Sequence, residues 1–110
     1  MELSEKYNFT ESDAAFDKIY TSRYQAISRI HWTPVEVVKM AIDWIEGDKE
    51  IKILDIGSGV GKFCVLGSIL SKFTFVGVEK RKNLVRQSRK AATFFKTKNV
   101  SFINDNITNI

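Results

Sequence analysis

The sequence predicts an α/β fold, a partial doubly wound parallel sheet of three strands preceded by helices. Three observations carry this. Two segments in the first half have helical periodicity, three short β-branched or aromatic runs follow, and stretches of helical length separate those runs. A strand-helix-strand-helix-strand order calls for parallel pairing with right-handed crossovers.

In chain order, Thr10 to Ile30 reads as one helix, with acids at its start and Ala14, Ala15, Ile19 and Tyr20 near one face. The run His31-Trp32-Thr33-Pro34-Val35-Glu36 then predicts a helix start, with Thr33 as N-cap, Pro34 first in the helix and Glu36 as capping-box partner. Val37, Val38, Ala41, Ile42 and Ile45 form the apolar stripe, and Gly47 closes the helix. Ile51–Ile56 is the first strand, ending in glycines, and Gly61–Ser71 the next helix. Phe73–Val78 is the second strand, Lys82–Lys98 a long helix, and Val100–Ile103 the third strand. The inner face of the long helix holds Leu84, Ser88, Ala91, Ala92 and Phe95. Residues 1–47 thus form a helical segment, and residues 48–110 a βαβαβ unit.

Composition narrows the class. At 110 residues there is room for one modest core. Cys64 is the sole cysteine and sits in an apolar run, so an internal disulfide is excluded, and neither a catalytic nor a metal role is expected of it. The opening residues lack a signal pattern, and no apolar run approaches the ~20 residues that span a bilayer. The expectation is a soluble, cytoplasmic protein with no membrane contact. The net charge of +4 is unevenly placed: Lys80 to Lys98 holds eight basic residues and no acid. A solvated helix face explains that run, and an acidic partner is the competing explanation.

The chemistry falls at the C-terminal ends of the strands, where open α/β sheets bind ligands. The first strand runs into Asp55-Ile56-Gly57-Ser58-Gly59-Val60-Gly61, whose alternating glycines let the backbone turn tightly and approach a ligand. The following helix presents its N-terminal N–H groups. The second strand ends in Glu79, suited to a ribose diol. The third leads into Asn104-Asp105-Asn106, where a carboxylate can accept from an adenine amine. Dinucleotide loops favour G-x-G-x-x-G, whereas this chain has G-x-G-x-G with Lys62 at the last glycine's place. Asp55 would oppose a pyrophosphate but suits S-adenosylmethionine, which carries an ammonium and a sulfonium.

These residues carry a resemblance. Ile53 to Gly61 resembles the first motif of class I, Rossmann-like S-adenosylmethionine-dependent methyltransferases, Val76-Gly77-Val78-Glu79 their second motif, and Asp105 the acid after their third strand. The resemblance implies strand order 3-2-1, a transferase activity, S-adenosylmethionine as cofactor, and a cofactor site of Asp55, Gly57, Ser58, Gly59, Gly61, Glu79, Asp105, Asn106 and Thr33. A narrower likeness, in the glycine loop and the Thr-Pro helix start, is to the non-SET histone-lysine methyltransferases and their bacterial relatives. It implies His31, Trp32 and Thr33 as a cofactor rim. The competing roles are a core aromatic for Trp32 and a simple cap for Thr33.

Such enzymes resemble a seven-stranded sheet, of which only the first three strands are present, so a fragment truncated at Ile110 is expected. No Asn-Pro-Pro-Tyr motif or cysteine nucleophile loop occurs, which leaves the catalytic residues and the methyl acceptor (protein, nucleic acid or small molecule) unassigned. The first strand is expected to leave an apolar edge that favours self-association. The alternatives are a non-enzymatic half-domain that binds a nucleotide or a partner, and a nucleic-acid-binding module resting on the basic run. The latter lacks a ladder of exposed aromatics.

Overall fold

The computed structural model describes residues 3–45, 50–106 and 108. The elements are α1 (Leu3–Asn8), α2 (Asp13–Asp17), α3 (Ser22–His31), α4 (Val35–Trp44), β1 (Lys52–Ile56), α5 (Lys62–Leu70), β2 (Thr74–Glu79), α6 (Lys82–Phe95) and β3 (Val100–Asn104). All strands are parallel with β2 in the centre, which is the expected 3-2-1 order. Asp55 pairs with Gly77 and Gly77 with Phe102, and this register brings the three strand ends to one rim of the sheet.

One sheet face, carrying Phe75 and Phe102, is buried under α5 and α6. The other leaves Leu54, Ile56 and Ile103 exposed, and β1 forms an edge with no partner on its far side among the described residues. The N-terminal helices complete the same core. Phe16 stacks on Phe95 with ring centroids 5.6 Å apart, and both are fully buried. Burying a side chain of that size contributes about 1.5–3 kcal/mol.

The predicted helix from Thr10 to Ile30 is instead two helices. Ser12 caps α2 by accepting from the Ala15 N–H, and the chain turns at residues 18–21 before α3 begins. The turn frees Tyr20 from the helical ladder, so that its buried hydroxyl donates to the Val60 carbonyl at 2.9 Å. The buried face is correspondingly Phe16, Asp17 and Tyr20; Ala14 is exposed, and Ala15 and Ile19 are half-buried.

The start of α4 is also corrected. Pro34, not Thr33, is the N-cap, and no capping box forms. The Val35 N–H donates to Asp13 Oδ1 at 2.8 Å, an acid twenty-two residues upstream. On this helix Val35 and Val38 are buried, whereas Val37 is exposed. The helix ends at Trp44, and the predicted stop at Gly47 lies outside the described residues.

Helix α6 ends at Phe95, three residues short of the expectation, because Lys96 adopts φ +55°. The Lys96 and Thr97 N–H groups then close on the carbonyls of Thr93 and Ala92, a Schellman arrangement built without glycine. Val85 takes a buried place that was expected for Leu84, which is half-buried.

Candidate functional site

The glycine loop folds as its composition requires. Gly57, Gly59 and Gly61 have φ of +75°, +58° and +83°. The Gly57 and Ser58 N–H groups both donate to the Val78 carbonyl, at 2.8 and 3.0 Å, which pins the loop across the end of β2. A Cβ at Gly57 or Gly59 would meet nothing within 4 Å, so both face open space. Gly61 is different: a Cβ there would lie 2.8 Å from Phe102 and from Ser88. Gly61→Ala is therefore expected to cost about 2–4 kcal/mol, combining left-handed backbone strain with overpacking. Gly59→Ala, with strain alone, should cost about 1–2 kcal/mol. Urea unfolding of the two variants compares them directly, and equal losses would contradict this packing account.

The loop borders a cavity of about 430 Å³. Asp55, Gly57, Ser58, Gly59 and Thr33 all line it. Asp55 is partly buried. That burial raises its carboxyl above the ordinary value, and a weak hydrogen bond from the Cys64 thiol at 3.7 Å only partly opposes the effect. Burial and the neighbouring Asp55 in turn push the Cys64 thiol far up, which keeps it protonated. Trp32 also lines the cavity and packs edge-on to Tyr20 with centroids 4.8 Å apart, so one ring serves both the core and the cavity wall. The side chain of His31 lies outside the described residues.

Lys62 opens α5 and is buried, only 3% exposed. Its ammonium lies 2.7 Å from Asp13 Oδ1 and 2.9 Å from Asp17 Oδ1. Burial alone would raise the Asp13 carboxyl; the hydrogen bonds from Lys62 and the Val35 N–H overcome it and hold Asp13 below its ordinary value. One ion cluster thus ties α2 to the start of α4 and to the residue after the glycine loop.

Glu79 ends β2 as expected, with its carboxylate buried. It accepts from the Gly59 N–H at 3.1 Å, the Arg81 N–H at 2.9 Å, and Arg81 Nε and Nη2 at 2.9 and 3.3 Å. Burial pushes this carboxyl up, but these donors, the Arg81 guanidinium foremost, bring it below its ordinary value. Glu79, Asp105 and Asn106 line a second cavity of about 250 Å³. The predicted residues therefore fall into two adjoining groups, and Gly61 stands behind the loop, packed against Ser88 and Phe102.

Sequence reasoning missed Arg23, Tyr24, Arg81 and Asn83, which also border the larger cavity. A basic residue two positions after Glu79 was a readable signal for Arg81. Arg23 and Tyr24 had none, because the turn before α3 places them. Tyr24 reaches across to accept from Asn83 at 3.4 Å.

A parallel 3-2-1 sheet with a left-handed glycine loop after its first strand and acids at the ends of all three defines the cofactor-binding half of a Rossmann-like methyltransferase domain. The chain belongs to the protein-L-isoaspartate(D-aspartate) O-methyltransferase family, whose model matches residues 3–106. That is not the histone-lysine methyltransferase group that the Thr-Pro and glycine-loop wording resembles. No curated protein sequence matches significantly. Among solved structures, an RNA methyltransferase from Salinibacter ruber in complex with S-adenosyl-L-homocysteine is 25% identical with a TM-score of 0.66, over 71% of this chain and 52% of that one. A precorrin-6y C5,15-methyltransferase from Geobacter metallireducens GS-15 shares the fold at 19% identity and a TM-score of 0.58, over 66% and 39%. The [4+2]-cyclase SpnF shares it at 15% identity and a TM-score of 0.59, over 64% and 26%. The chain thus spans about half of the first of these structures and less of the others.

Proposed function

We propose that this chain binds S-adenosylmethionine and forms the cofactor half of a methyltransferase acting on a protein carboxylate. The carrying observation is Asp55: a partly buried carboxylate facing the glycine-loop cavity, its ionised form disfavoured by burial. An ammonium relieves that cost, whereas a diphosphate aggravates it. Lys62 offers no remedy for a diphosphate, because Asp13 and Asp17 engage its ammonium. Gly57 and Gly59 leave room for a ligand against the backbone. Glu79 would hold the ribose diol, and Asp105 with Asn106 would face the adenine.

When bound, S-adenosylmethionine supplies an electrophilic methyl group. The family match supports an isoaspartyl or D-aspartyl carboxylate of a protein as acceptor. Such a carboxylate is already ionised at neutral pH, so its oxygen needs no general base to attack. The demand on the protein is therefore positioning. Among the described residues no helix is long and apolar enough to cross a membrane. Cytoplasmic residence is proposed with the activity, in keeping with a single, buried thiol.

Calorimetry of the intact protein tests the cofactor reading: S-adenosylhomocysteine should bind and NAD should not, and the reverse would overturn it. Methyl transfer to an isoaspartyl peptide, absent with the aspartyl isomer, tests the acceptor. A pH dependence is also expected. An ammonium beside Asp55 lowers a pKa that is raised in the empty site, so binding favours the ionised carboxylate. Affinity should be full above the empty-site value and fall as pH drops through it. Asp55→Asn should bind more weakly at neutral pH and lose this dependence; a variant whose affinity still falls over the same window would assign the titration elsewhere.

A further inference from the structure

The Glu79 carboxylate is saturated before any ligand arrives. A carboxylate offers about four lone-pair sites. Here two are taken by backbone donors, the Gly59 and Arg81 N–H groups, and two by the Arg81 guanidinium. A ribose diol needs two. The backbone donors are fixed by the loop and by the start of α6, so only the guanidinium is free to leave.

Cavity geometry leads to the same residue independently. The larger cavity is bordered by Asp55 and the glycine loop but not by Glu79, while the smaller one holds Glu79, Asp105 and Asn106. Arg81 and Gly57 border both. A ligand whose ammonium meets Asp55 and whose ribose meets Glu79 must run through both cavities. The Arg81 side chain lies in that path, and it is 60% exposed, so it has water to move into.

Resting on the cofactor reading above, we propose that Arg81 is an internal gate: its guanidinium occupies the ribose-diol position on Glu79 and divides the cofactor groove until the cofactor displaces it. Arg81 is then a positioning residue that sets cofactor affinity against an intramolecular competitor. It holds the Glu79 carboxylate ionised and correctly turned in the empty state, and every binding event must undo the bidentate contact. The gate lowers affinity for any ligand with a diol at this point, and it selects against ligands too short to reach both Glu79 and Asp55.

The test is calorimetric titration of the intact protein with S-adenosylhomocysteine. Arg81→Met keeps the aliphatic stem and the backbone N–H but removes the competitor, and should bind about twofold to fivefold more tightly. The range is set by the modest strength of a partly exposed ion pair. Arg81→Lys, a point charge without the fork, should fall between the two. The advantage of Arg81→Met should shrink as salt is raised, because screening weakens the Arg81–Glu79 pair in the wild type. It should vanish in a Glu79→Ala background. An Arg81→Met variant that folds by circular dichroism and binds no more tightly than wild type would overturn the gate while leaving the cofactor reading intact. An absence of binding by wild type and variant alike would overturn both.

Discussion

Replacing Lys62 with methionine is expected to destabilise the protein by about 3–5 kcal/mol, the cost of leaving a buried charge without its counter-ion. The Lys62 side chain is only 3% exposed and answers two carboxylates, of which Asp17 is itself buried, at 11% side-chain exposure. Methionine fills the volume but takes the ammonium away from the buried Asp17 carboxylate, while Asp13, at 51% side-chain exposure, keeps water and the Val35 N–H. Against the 5–15 kcal/mol typical of a small domain, such a loss is a large fraction of the whole. Urea unfolding followed by circular dichroism measures it, and a loss below about 1 kcal/mol would mean that water solvates the cluster.

A second variant separates charge from capping. Asp13→Asn in the Lys62→Met background removes a carboxylate charge that no longer faces the ammonium yet keeps an oxygen for the Val35 N–H, so it should recover a small part of the stability. The pH dependence has a definite sign. Asp13 has a folded-state pKa below its ordinary 3.8, so it contributes stability above that value and loses it as pH falls through the lower, folded one. The acid limb of the wild-type stability curve should therefore be steeper than that of Lys62→Met.

The largest expected effect on ligand affinity is at Glu79. Glu79→Ala should weaken S-adenosylhomocysteine binding by about 1.5–3 kcal/mol, roughly tenfold to 150-fold, through loss of charge-assisted hydrogen bonds to the diol. The same substitution orphans the Gly59 N–H, so the glycine loop loosens as well. Glu79→Gln keeps one acceptor for Gly59 and should lose less. Calorimetry on folded variants reads both, and an unchanged affinity in Glu79→Ala would remove Glu79 from the site. Glu79 also has a depressed folded-state pKa, below its ordinary 4.5, so its stabilising contribution is lost as pH falls through that lower value.

Features that depend on short-range backbone chemistry were determined by the sequence alone. The three strands stand within a residue or two of their expected bounds, because β-branched runs between turn residues have few other conformations. The glycine loop was legible for the same reason: three alternating residues without a Cβ mark positive φ, and all three have it. Parallel order followed from alternation, since a crossover helix permits little else. The acids at the strand ends come to one rim once the strands pair in parallel.

Only the tertiary structure decided which polar groups meet. Residues 10–30 carry helical periodicity throughout, yet the chain turns at residues 18–21, where the Tyr20 hydroxyl reaches a carbonyl forty residues away. Thr33 had the local chemistry of an N-cap, but Asp13 supplies the acceptor, and Lys62, marked in the sequence only as the residue after the glycine loop, is buried beside it across a separation of 49 residues. Glu79 was legible as an acceptor, whereas the division of its lone pairs between Arg81 and the loop was not. Propensity and periodicity act over one or two turns of chain. A buried charge is governed by desolvation, and its partner can come from anywhere the fold brings an opposite charge within 3 Å, which no local pattern records.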